Sequence, residues 1–84
     1  MKFYYVTFRS VTFAQRGERL LQDKGIRCTL LRTPRWMEER GCGYCLRLWT
    51  DDIHTALTLL REHQLPKRKV YLQGRDGQLE EMML

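Results

Sequence analysis

Cys42 lies between Gly41 and Gly43, with Arg35 and Arg40 in the same segment running from Thr33 to Cys45. Flanking glycines leave backbone N–H groups open and let a ligand approach closely. Those N–H groups and the guanidinium charge both favour a thiolate, which is the nucleophilic form of cysteine. Cys42 is therefore the first candidate nucleophile, with Arg35, Arg40, Gly41 and Gly43 as its binding frame. The plainer reading makes Cys42 a small apolar residue at a strand start.

Cys42-Gly43-Tyr44-Cys45 is also a C-x-x-C, the spacing of dithiol redox pairs and of half of many zinc sites. In redox sites of that spacing the pair opens a helix, whereas Leu46-Arg47-Leu48-Trp49 reads as a strand. Cys45 as a resolving thiol requires a bend at Gly43, because residues three apart in a strand point to opposite faces. A zinc site would have to draw on Cys28, His54 and His63, whose spacing matches no four-ligand pattern. No metal and no resident cofactor is expected. Cys28 alternates with Ile26 and Leu30 and reads as a buried apolar thiol. No hydrolase elbow, P-loop or dinucleotide fingerprint occurs in the chain.

These residues must be positioned by a small scaffold. The chain has 84 residues, enough for one domain and too few for a two-domain enzyme. Its 43% apolar and 30% charged residues suit a folded core rather than a disordered chain. At this size a site is expected on a surface or loop, not in a deep cavity. No apolar run approaches a membrane span, and no targeting segment is recognised at the N-terminus. An odd number of cysteines, three, points to a reducing compartment and hence the cytoplasm. Residues 1–50 carry ten basic and four acidic side chains, a net of +6, against five and six, a net of −1, in residues 51–84. The basic half is the candidate surface for an anion, a nucleic acid or an acidic partner.

Lys2 to Phe8 is aromatic and β-branched and reads as a strand. Ser10 caps a helix with Ala14, Gly17 and Leu21 on one stripe, closed by Gly25. Ile26 to Arg32 alternates as a second strand and stops at Pro34, and Tyr44 to Trp49 alternates as a third. Asp51 or Thr50 caps a second helix, with Ile53, Ala56, Leu57 and Leu60 as its stripe, and Lys69 to Gln73 is a fourth strand. The order β-α-β-β-α-β predicts an α+β ferredoxin-like sandwich, a four-stranded antiparallel sheet with both helices on one face. Residues 1–75 form this single domain. Residues 76–84 are a tail that could add an edge strand, dock on a partner or stay disordered. Cys45, Arg47 and Trp49 share the sheet face that the helices leave open, together with Arg27 and Thr29. That face should be covered by a partner or by a second copy of the chain.

At its central loop the chain resembles the small bacterial family of selenium/sulfur carrier-like proteins. The resemblance runs over most of residues 3–73 and rests on Tyr4 to Phe8, Leu20-Leu21 followed by Gly25-Ile26, Thr33-Pro34-Arg35, and Cys42-Gly43. It implies that Cys42 accepts sulfur or selenium as a persulfide-type adduct, that Pro34 and Arg35 belong to the motif framing it, and that donor and acceptor proteins are the partners. The chain would then be a thiol carrier rather than a stand-alone enzyme.

Two alternatives stand beside it. One is a non-catalytic interaction or homodimer module using the open sheet face. The other is an RNA-recognition module, which shares the element order and reads bases with strand aromatics. Arg40 to Tyr44 partly matches its first motif, with Tyr4 and Tyr44 as the stacking residues and Cys42 and Arg47 in place of aromatics.

Overall fold

The computed structural model describes residues 3–33 and 43–84. Among the described residues, five strands and two α-helices follow in the order β1 (Phe3–Phe8), α1 (Val11–Asp23), β2 (Cys28–Arg32), β3 (Tyr44–Trp49), α2 (Ile53–Glu62), β4 (Lys67–Gln73) and β5 (Leu79–Met82). The strands form a single sheet in the order β2-β3-β1-β4-β5. Every neighbouring pair is antiparallel.

Ser10 starts α1: its Oγ accepts from the backbone N–H of Phe13 at 3.2 Å, satisfying one of the donors a helix start leaves free. Ala14, Gly17 and Leu21 form the buried stripe. Gly25, at φ +80°, ends the helix in the left-handed conformation that an L side chain resists. There Gly25 N–H donates to Gln22 O at 3.0 Å and Ile26 N–H to Leu21 O at 2.9 Å, the pair of hydrogen bonds of a Schellman closure. Because Ile26 is committed to the helix end, β2 begins at Cys28 rather than at Ile26.

The second helix starts differently from expectation. A 3-10 turn occupies Thr50–Asp52, and the cap position falls on Asp52, with no side-chain bond to the helix. At its other end Gln64 N–H bonds Arg61 O at 3.1 Å and Leu65 N–H bonds Leu60 O at 2.9 Å, repeating the closure of α1. Here the left-handed residue is Gln64, at φ 60°.

The four-stranded sheet expected from the sequence is corrected to five strands. Gly77 at φ +82° and the bonds Gly74 N–H to Gln78 O (2.8 Å) and Gln78 N–H to Asp76 Oδ1 (3.0 Å) make a tight reversal after β4. That turn feeds Leu79–Met82 directly back along β4, with Gln73 opposite Leu79 and Val70 opposite Met82. Leu79-Glu80-Glu81-Met82 lacks a clean two-residue alternation, so turn chemistry rather than hydrophobic pattern sets the strand.

Both helices pack on one face of the sheet. Val6, Phe8, Leu46, Leu48 and Val70 point to that face and form one core with Ala14, Leu21, Ile53, Ala56 and Leu60. Gly17 marks the closest approach. A Cβ there would lie 3.2 Å from Leu60 Cδ2, 3.3 Å from Phe8 Cζ and 3.4 Å from Leu46 Cδ1.

Candidate functional site

β2 and β3 flank, in sequence, the segment that carries Cys42. Arg32 is opposite Tyr44 in their ladder. Just beyond, Thr33 N–H donates to Gly43 O at 2.8 Å, tying together the last residue before and the first residue after the segment 34–42. The Arg32 guanidinium lies 5.5 Å from the Tyr44 ring centre and its Nη1 donates to Tyr44 Oη at 3.4 Å, a second clasp across the same rung. Gly43 is buried, with φ +80°, so the chain enters β3 through a backbone conformation that suits glycine. Thr33 is buried as well. Pro34, Arg35, Arg40, Gly41 and Cys42 lie outside the described residues, so of the expected site only Gly43 and Cys45 are seen.

Cys45 is completely buried. It stands opposite Thr7 on β1 and Leu31 on β2. Its neighbour Leu46 belongs to the helix-side core, so by strand alternation Cys45 points to the other face, with Arg47 and Trp49. A thiol with no exposed surface cannot meet a donor protein without movement of its cover.

Cys28 is the third thiol. It packs against the helix-side core, and its Sγ lies 3.7 Å from Glu18 O. Burial, helped by the Glu18 carboxylate, pushes its thiol from 9.0 up to about 11, so at neutral pH it is protonated and a poor nucleophile. Cys28 and Cys45 project from opposite faces of the sheet, which excludes a disulfide between them. Among the described residues, no three His, Cys, Asp or Glu side chains gather as a metal site. No helix among them is long and apolar enough to cross a membrane.

The stacking residues expected of an RNA-recognition module are misplaced. Tyr4 and Tyr44 both pack against the helix-side core, and the Arg32 guanidinium lies over the Tyr44 ring. The aromatics on the open face are Phe3, Tyr5, Trp49 and Tyr71, by their register with one another and with Arg47. β1 is apolar on both faces, so its sequence alone does not reveal which tyrosine faces out.

Sequence reasoning also missed how the edge of β2 is protected. Glu18 Oε2 accepts from Leu30 N–H at 3.2 Å and Gln22 Nε2 donates to Cys28 O at 3.3 Å. The signal was present as a polar pair four residues apart on α1, one helical turn beside the buried stripe.

A family model described as "Putative Se/S carrier protein-like" matches residues 3–72. The chain belongs to this family. The match runs from the start of β1 to the penultimate residue of β4 and leaves out β5, so the fifth strand is an addition to what the carrier-like family model covers. No curated protein and no solved structure matches the chain.

Proposed function

We propose that the chain is a sulfur or selenium carrier that holds the chalcogen on Cys42 and passes it to an acceptor protein. The observation carrying this reading is the family match over residues 3–72. Two features of the described residues support it. The two ends of the segment bearing Cys42 are tied together by the Thr33–Gly43 bond, and the other two thiols are poorly suited to the work: Cys45 is fully buried and Cys28 is held protonated.

In the proposed step the Cys42 thiolate attacks the terminal sulfur of a donor protein's persulfide. The donor's S–S bond breaks as the Cys42–S–SH bond forms, and the donor leaves as its thiolate. The sulfane sulfur keeps its oxidation level, so the exchange needs no oxidant or reductant. Attack by an acceptor thiolate on the same terminal atom repeats the exchange and frees Cys42. A selenium-bearing donor follows the same course. Arg35 and Arg40 stabilise the Cys42 thiolate, Pro34, Gly41 and Gly43 shape the loop around it, and Cys45 serves as a resolving thiol only when its cover opens. The strand order β2-β3-β1-β4 with both helices on one face supports reading the α+β fold as a ferredoxin-like sandwich extended by β5. A free carrier thiol persists best in a reducing compartment, which supports a cytoplasmic setting.

Incubation with glutathione persulfide followed by intact mass and peptide mapping tests the proposal. One added sulfur on the Cys42 peptide is expected, lost in Cys42→Ser and kept in Cys28→Ser and Cys45→Ser. An adduct that persists in Cys42→Ser contradicts it.

A further inference from the structure

The open sheet face carries a cluster that chalcogen carriage does not use. Phe3 on β1 and Trp49 on β3 are directly paired, their ring centres 4.8 Å apart and their planes inclined by 47°. The Arg47 guanidinium stands 4.8 Å from the Phe3 ring centre. Thr29 is opposite Arg47 on β2. With Arg27, these residues line an open groove of about 570 Å³ that also reaches Cys28.

Among the described residues neither Arg27 nor Arg47 has a carboxylate partner. Arg27 lies just before β2, two residues from Thr29, which is opposite Arg47 on β3, and both arginines line the same groove. A rigid aromatic surface flanked by guanidinium groups is the chemistry that holds a base and its phosphates.

We propose that this end of the sheet binds single-stranded nucleic acid, stacking a base on Trp49 and holding adjoining phosphates on Arg27 and Arg47. The net +6 of residues 1–50 draws a polyanion towards it. A protein partner suits the surface less well. Charge is depleted from the centres of protein interfaces, and here two of the side chains lining the groove, Arg27 and Arg47, are cations. A second copy of the chain would set another pair of guanidinium groups against them. The proposal is independent of the carrier reading and uses different residues from Tyr4 and Tyr44.

Fluorescence anisotropy with a dye-labelled mixed-sequence RNA octamer tests it, on the full chain across a salt series. Binding should weaken by about tenfold or more in Trp49→Ala, the loss expected of one base–aromatic stack. Arg47→Gln and Arg27→Gln should each weaken it and flatten the salt slope by about 0.7, whereas Arg16→Gln, exposed on α1, should do neither. Thermal melting controls for folding, and the exposed Arg27→Gln keeps the test decisive if Trp49→Ala unfolds. The proposal is overturned if the octamer does not bind, if Arg16→Gln weakens binding as much as Arg27→Gln, or if a mononucleotide binds as tightly as the octamer. It is equally overturned if light scattering shows a dimer that Trp49→Ala dissociates, since a second copy would then occupy the face.

Discussion

The Thr33 backbone N–H donates to the Gly43 carbonyl at 2.8 Å, so the residues on either side of the segment 34–42 are tied to each other just beyond the last rung of the β2–β3 ladder, Arg32 opposite Tyr44. The two ends of the segment that carries Cys42 are therefore held together at one end of the sheet. The tie is reinforced by Arg32 on Tyr44, and β3 is entered through Gly43 in a left-handed conformation.

Gly43→Ala puts a Cβ on a residue at φ +80°. The strain should cost about 1–2 kcal/mol of stability, measurable by urea denaturation. An unchanged midpoint would show that the left-handed entry into β3 is not needed.

Cys28 links stability to pH. Its folded-state value is raised from 9.0 to about 11, so the folded chain retains a proton that the unfolded chain loses first. The stabilisation is fully present below about pH 9 and is lost as pH rises towards 11. Unfolding free energy should fall more steeply across that window in the native protein than in Cys28→Ala. Parallel pH profiles would contradict the assignment.

Glu18 acts twice, by accepting from Leu30 N–H and by raising the Cys28 thiol. Glu18→Ala should cost about 1 kcal/mol and bring the Cys28 ionisation down from about 11, read by thiolate absorbance in a protein whose other cysteines are replaced by serine. An unmoved ionisation would assign the shift to burial alone.

Gly17 leaves no room for a branched side chain between Leu60, Phe8 and Leu46. Gly17→Val should therefore destabilise by about 1–3 kcal/mol through overpacking. A thermal melt at or above that of the native protein would show that the helix–sheet contact yields easily.

Much of the scaffold was legible in local chemistry. Ser10, the Ala14–Gly17–Leu21 stripe and Gly25 define α1 because capping, helical period and left-handed closure are local properties. β5 was not legible, because its four residues include two glutamates and its pairing depends on the Gly74 to Gln78 turn. Non-local packing likewise decided that Tyr4 and Tyr44 face the helices and that Cys45 is fully buried, since β1 and β3 carry apolar residues on both faces. At the site, the residue types of the segment 34–42 pointed to thiol chemistry, while the clasp that ties its two ends together emerges only when β2 and β3 are paired.

The most direct measurement of the central claim is the alkylation rate of each cysteine against pH, followed by peptide mapping, in the native protein and in Cys42→Ser. Cys42 should react far faster than Cys28 and Cys45, with a midpoint below the roughly 8.5 of an unperturbed thiol. A Cys42 that reacts no faster than Cys28, or whose midpoint is not lowered, would contradict carriage on this residue.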